Sequence, residues 1–199
     1  MGERKPLPFL MNRKSLFFWQ PSVDYLRLLS STKLGRLSLI ILNYAIWVFF
    51  FYLSFLLIRT NFSIFWQLFF ATIIAETVER LIKKKVFWRR PMFVRHDLTP
   101  TGLVDKWYRS GAFPSGHTIK AAFFLLFILQ YPVFSIPLFL AICLSLLFFR
   151  ILVGFHYPID VLGGALIGLL IWIPVHLINF SPSLNYYLQL IFNTLFFIK

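Results

Sequence analysis

The chain has 199 residues, of which 59% are hydrophobic and 14% charged, and its mean hydropathy is +0.76. Soluble domains hold about 45–50% apolar and about 25% charged residues, so soluble, disordered and fibrous classes are excluded and a chain dissolved in lipid is indicated. The net charge of +13, from 20 Lys and Arg against 7 Asp and Glu, points to anionic headgroups or a phosphate-bearing substrate before nucleic acid, and the single Cys143 excludes an internal disulfide or a Cys-rich metal site.

Residues 1–36 interleave Arg4, Lys5, Arg13, Lys14, Arg27, Lys33 and Arg36 with Phe17, Phe18, Trp19, Tyr25 and Leu26. Such a basic, aromatic segment suits the membrane surface rather than its core. It lacks the small-residue cleavage site of a secretory signal and is expected to stay attached. Residues 37–58 carry no charge and are long enough to span. Residues 61–82 form a second candidate, with Glu76, Glu79 and Arg80 in its last turns, where charges must face other helices or water. Residues 83–116 are polar and irregular, and no span fits there. From 121 to 149 no residue is charged, a run too long for one ordinary span and broken by Pro132 and Pro137. This predicts antiparallel helices over 117–131 and 136–150 joined by a tight turn. Residues 159–180, opened by Pro158, form the next span, and Gly164-x-x-x-Gly168 permits close helix packing. Residues 184–198 are apolar but short, either a short span or an interfacial helix. The expected fold class is all-α: an integral-membrane helical bundle of five or six spans. The amphipathic segment is 1–36, the membrane domain 37–199, and the polar motifs fall within 83–160.

Charge near apolar segments is retained where it works or is paired, and the polar residues gather in three clusters. The first is Lys83-(six residues)-Arg90-Pro91, the second Pro114-Ser115-Gly116-His117, the third Arg150-(five residues)-His156-(three residues)-Asp160. One helical hairpin separates the second from the third, and only a loop separates the first from the second, so all three belong at one end of the bundle. Lys83, Arg90 and Arg150 supply donors suited to phosphate oxygens. Ser115 and Gly116 open a helix, whose free N–H groups and dipole favour an anion. Asp160, in the first turn after Pro158, is placed to accept from the His156 imidazole and fix its tautomer. A histidine so oriented can act as a nucleophile and a second, His117, as an acid. The seven carboxylates are Glu3, Asp24, Glu76, Glu79, Asp97, Asp105 and Asp160. No pair of them near the basic clusters makes a Mg²⁺ or two-metal site. Neither a metal nor a cofactor is expected, and transition-state charge falls to Lys and Arg.

In order and spacing the three clusters resemble the KxxxxxxRP, PSGH and SRxxxxxHxxxD signature of the type 2 phosphatidic acid phosphatase superfamily. In size and layout the chain is similar to its small bacterial members, the undecaprenyl-diphosphatases and phosphatidylglycerophosphate phosphatases. The resemblance implies that Lys83, Arg90 and Arg150 bind the phosphoryl group, with Ser115 and the Gly116 amide completing the cradle. It implies that His156 attacks phosphorus to give a phosphohistidine, that Asp160 orients it, and that His117 protonates the leaving group. Phe149 departs from the signature, standing where it has Ser, and a trimmed hydrogen bond rather than lost activity is expected.

The implied activity is metal-independent hydrolysis of a lipid phosphate or diphosphate, with undecaprenyl diphosphate favoured. Alternatives are a phosphatidylglycerophosphate, phosphatidic acid or lipid A phosphatase, a lipid phosphotransferase, and a non-catalytic anionic-lipid-binding membrane protein. The pair of histidines with Asp160 argues against the last, since binding needs only the basic groups. The expected partners are a lipid phosphate and the bilayer, with no nucleic acid. The resemblance implies a bacterial cytoplasmic membrane and an outward-facing site. The positive-inside rule points the other way, and is discounted because several of these charges suit phosphate. Taken singly, each feature has a plainer reading. Glu76, Glu79 and Arg80 suit intramembrane pairs, Trp88, Trp107 and Tyr108 suit interfacial anchors, His176 suits a packed mid-helix position, and His96 suits a loop surface.

Overall fold

A computed structural model describes residues 16–22, 32–85, 87–91 and 110–196. Within them the chain is all-α, with six helices: α1 Lys33–Thr60, α2 Ser63–Lys84, α3 Gly116–Gln130, α4 Ile136–Leu152, α5 Pro158–Val175 and α6 Pro182–Leu195. A short 3-10 turn, Leu16–Phe18, precedes them. Helix α1 starts four residues ahead of the expected span because Thr32 caps it, its hydroxyl accepting from the Gly35 N–H at 3.0 Å. Asn61 ends α1, and its side chain accepts from the Ser63 N–H at 2.9 Å as α2 begins. Pro137 and Pro158 sit in the first turns of α4 and α5, where a missing N–H costs nothing.

Helix α5 stops at Val175, short of the expected 180. Pro174 lies inside its last turn and cannot donate to the preceding turn. His176 is therefore the C-cap rather than a mid-helix residue. Its ring stacks on Trp172 at 4.1 Å, and its carbonyl accepts from Gln67 Nε2 at 2.9 Å. The same Gln67 amide donates to the Ile178 carbonyl at 3.1 Å, so one buried side chain of α2 ties down the chain leaving α5.

Helix α3 is the centre of the bundle. Residues Thr118 to Ala121, Phe123, Phe124, Phe127 and Ile128 are all buried, leaving almost no outward face. Phe50 of α1 stacks on Phe124 at 4.9 Å, and Phe123, Phe127 and Phe139 are fully enclosed. Helix α5 packs on α3 through its small residues. A Cβ added at Gly164 would lie 2.6 Å from the Ser115 carbonyl oxygen, and one at Gly168 would meet the Ile119 carbonyl and Ala122. The opposite stripe of α5, with Leu162, Leu166, Leu170 and Ile173, is exposed. Small residues inward and large apolar residues outward is the arrangement that lipid favours.

Helices α1 and α5 are long and apolar enough to cross a bilayer by length and composition, while α3 and α4 are apolar but shorter. The aromatic N-terminal segment touches the bundle through Phe18, which sits edge-on to Trp88 and Tyr157 at 5.4 Å each. Of the other residues singled out in the sequence, His96, Trp107, Tyr108 and the charges of residues 1–14 lie outside the described residues.

Candidate active site

Three connections assemble the site. Arg89 and Gly111 form an isolated antiparallel bridge, and the Ala112 N–H donates to the Trp88 carbonyl at 3.2 Å, which brings the Arg90 segment beside the approach to α3. The Ser115 N–H donates to the Asp160 carbonyl at 3.0 Å, joining the start of α3 to that of α5. Arg90 Nη1 donates to the Phe155 carbonyl at 3.1 Å, joining the first cluster to the third. Gly154, at φ 73°, lets the chain leave α4 and double back into Phe155 and His156; that left-handed conformation is open to glycine and strained for other residues.

The two arginines flank one ring. The guanidinium carbon of Arg150 lies 5.0 Å from the centre of Phe155 and that of Arg90 lies 5.9 Å from it. Both are buried. Arg90 Nη2 donates to the Ser110 hydroxyl at 3.0 Å, and Arg150 Nη1 donates to Asn43 Oδ1 of α1 at 2.7 Å. Lys83 pairs with Glu79, one turn earlier on α2. It shares with Ser110 and Gly111 the wall of a cavity of about 400 Å³.

His156 is 1% exposed. Its Nδ1 lies 2.8 Å from the Ala112 carbonyl oxygen, which can only accept, so Nδ1 carries the proton and Nε2 the lone pair. Nε2 faces Arg90 Nη1 at 3.4 Å. Asp160 Oδ2 lies 3.6 Å from Nδ1. The nearer acceptor is thus Ala112, while Asp160 accepts from the Trp88 indole N–H at 2.9 Å and the Tyr157 N–H at 2.7 Å. Burial, followed by Arg90, Arg150 and Lys83, pushes the His156 imidazole well below its ordinary range. It therefore stays neutral at pH 7 despite its negative neighbour.

His117, in the first turn of α3, lies edge-on to Trp47 of α1 at 5.5 Å, and its Nε2 is buried with no hydrogen-bond partner among the described residues. Ser115 is fully buried, and its Oγ accepts from the Thr118 hydroxyl at 2.9 Å. A further lysine, Lys120, is 2% exposed and lies in α3 one turn beyond His117. It pairs with Glu76 at 2.7 Å and sits 4.7 Å over the Trp47 ring.

Several of these partners carry no motif. The Ala112 role belongs to a carbonyl, which every residue has. Asn43 and Lys120 do carry a signal, as polar residues inside apolar helices. Trp88, expected as an interfacial anchor, has its indole N–H on Asp160.

All-helical architecture among the described residues, apolar outward faces, and guanidinium, ammonium and imidazole groups gathered at one end describe a membrane-associated protein with a cationic cluster at that end. The chain matches the family model of the PAP2 superfamily over residues 64–182 and belongs to that superfamily. Its members are phosphatases of phosphate esters, often those of lipids, and the chain is accordingly a phosphoester hydrolase. No solved structure matches the chain. Helix α1, with Asn43 and Trp47, lies wholly outside the matched region.

Proposed function

We propose that the protein is an integral-membrane lipid phosphatase or diphosphatase of five or six spans, acting without a metal through a phosphohistidine, with undecaprenyl diphosphate the favoured substrate. The observation that carries the mechanism is the His156 ring: Nδ1 engaged by Ala112 at 2.8 Å and the Nε2 lone pair directed at Arg90, 3.4 Å away. A phosphoryl group held by Arg90, Arg150, Lys83 and the N-terminus of α3 puts its phosphorus within reach of that lone pair. Nε2 attacks phosphorus and the bond to the leaving oxygen breaks, with His117 giving that oxygen a proton. Water then attacks the phosphohistidine, His117 takes the proton back, and phosphate leaves with His156 neutral again. Charge on the equatorial oxygens is met throughout by fixed cations and helix N–H groups. Asp160 acts on the Nδ1 side, favouring the partial positive charge that grows on the ring. An outward-facing site in a bacterial cytoplasmic membrane is part of this reading, carried by the family resemblance.

The test is a panel of purified lipids: undecaprenyl diphosphate, phosphatidylglycerophosphate, phosphatidic acid and lipid A. Phosphate release fastest from undecaprenyl diphosphate, together with an acid-labile, base-stable phosphoenzyme, supports the proposal. Release from none of the four, with no phosphoenzyme, refutes it.

A further inference from the structure

Glu79 stands one turn before Lys83 on α2 and faces the start of α3. Its Oε1 pairs with the Lys83 ammonium. Its carboxylate also occupies the place where a Gly116 side chain would begin, since a Cβ on Gly116 would fall on the carboxyl carbon and both its oxygens. Two groups of the proposed phosphate cradle, Lys83 and the α3 N-terminus, therefore already face an anion. The main tie between α2 and α3 is Glu76 with Lys120 at 2.7 Å; Glu79 reaches the same Lys120 only at 3.9 Å. Glu79 also has somewhere to go. Lys120 Nζ is 3.9 Å from its Oε2, and an ammonium has three donors, so a short swing of the carboxylate completes that pair; Glu79 also borders the cavity of about 400 Å³ with Glu76 and Lys83.

We propose that Glu79 is an internal anion that fills the phosphate cradle until a phosphoryl group displaces it toward Lys120, making it a specificity-determining residue. The inference rests on the phosphate-binding role proposed above. A ligand must outbid one carboxylate charge at Lys83 and the α3 terminus. A phosphomonoester or terminal diphosphate, carrying about −1.5 to −2 at neutral pH, does so. A phosphodiester headgroup, with a single charge, does not. The device would keep the site clear of the phosphodiester lipids that surround it.

The experiment uses the full chain in detergent micelles turning over a short-chain lipid phosphomonoester, with two competitors: orthovanadate, which displaces Glu79 by bonding to the nucleophile as a five-coordinate oxyanion rather than by charge alone, and phosphatidylglycerol, which cannot form that bond. Wild type should be inhibited by vanadate and not by phosphatidylglycerol. Glu79→Gln should bind vanadate roughly tenfold tighter, the scale of one charge-assisted hydrogen bond, and should become competitively inhibited by phosphatidylglycerol, with KM falling more than kcat changes. Glu79→Asp, which keeps the charge at the same position, should gain less vanadate affinity than Glu79→Gln. Vanadate affinity unchanged or weakened in Glu79→Gln, or an equal gain in Glu79→Asp, overturns the proposal. So does wild type inhibited by phosphatidylglycerol as strongly as by vanadate, a result that does not depend on any variant folding. Wild type that neither turns over the monoester nor responds to vanadate refutes the proposed function, and this inference with it.

Discussion

At His156 the Ala112 carbonyl engages Nδ1 while Nε2 faces Arg90, and the roles proposed for the two histidines can be separated by substitution. His156→Ala should lower turnover by several orders of magnitude on every substrate and abolish the phosphoenzyme, because a better leaving group does not bypass a covalent step. His117→Ala should hurt phosphomonoesters most and partly spare diphosphates, whose leaving phosphate needs less protonation. A phosphoenzyme that persists without His156 and vanishes without His117 would exchange the two roles. The depressed His156 pKa sets a pH window. In the proposed mechanism neutral imidazole is the nucleophile, so the acid limb of kcat/KM should lie below the ordinary histidine value of about 6.5. The sign for stability follows from the same shift. Near and below pH 6.5 the unfolded chain takes a proton that folded His156 refuses, so this residue lowers stability as pH falls through that range and contributes nothing above it. Asp160→Asn offers one acceptor where Asp160 serves two donors, Trp88 and Tyr157. One of them is left facing an NH₂ group, at a cost of about 1–3 kcal/mol. Thermal unfolding should detect that loss, and turnover should fall further through the missing charge near Nδ1.

Two contacts between elements decide whether the cradle is held open at the right width. The first is α5 on α3. Gly164→Ala places a methyl 2.6 Å from the Ser115 carbonyl, a backbone atom that cannot swing aside. The helices must part, at about 1–3 kcal/mol for overpacking, and the Ser115–Asp160 tie must stretch. Reduced Tm together with reduced turnover is expected; full activity at wild-type Tm would show that the contact is not tight. The second is α1 against α4, where Asn43 holds Arg150 at 2.7 Å. Asn43→Ala removes a hydrogen bond to a charged group, worth about 1.5–3 kcal/mol, or roughly ten- to hundredfold. That loss should show in vanadate inhibition and kcat/KM more than in Tm, and Asn43→Gln should restore little, since its longer side chain moves the acceptor.

For the molecule as a whole, the exposed apolar faces of α1, α4 and α5 have no partner within the chain's described residues. Patches of that size do not stay in water. The protein should remain in the membrane pellet through high salt and alkaline carbonate and require detergent for release; release by carbonate alone would contradict a spanning bundle. The cationic site makes a second global prediction. With Lys83, Arg90, Arg150 and helix N–H groups in place of metal charge, turnover should survive EDTA and gain nothing from Mg²⁺. Loss on chelation, reversed by metal, would refute the mechanism.

The amino-acid sequence by itself determined the helical class, the approximate position of every described helix and the identity of the three polar clusters. Uncharged runs, proline breaks and motif spacing are local properties, written in consecutive residues. The first turns of α4 and α5 follow from Pro137 and Pro158, and the shortened end of α5 from Pro174, whose missing N–H is a property of that residue alone. What touches what was decided only by the tertiary structure. The partner of His156 is a backbone carbonyl 44 residues away. The partner of Arg150 is an asparagine 107 residues away. Glu79 meets Gly116 because one helix packs on another at a glycine. Such contacts depend on crossing geometry and on which neighbour comes nearest: a glycine marks where a close approach is possible but not what makes it, and a backbone carbonyl marks nothing.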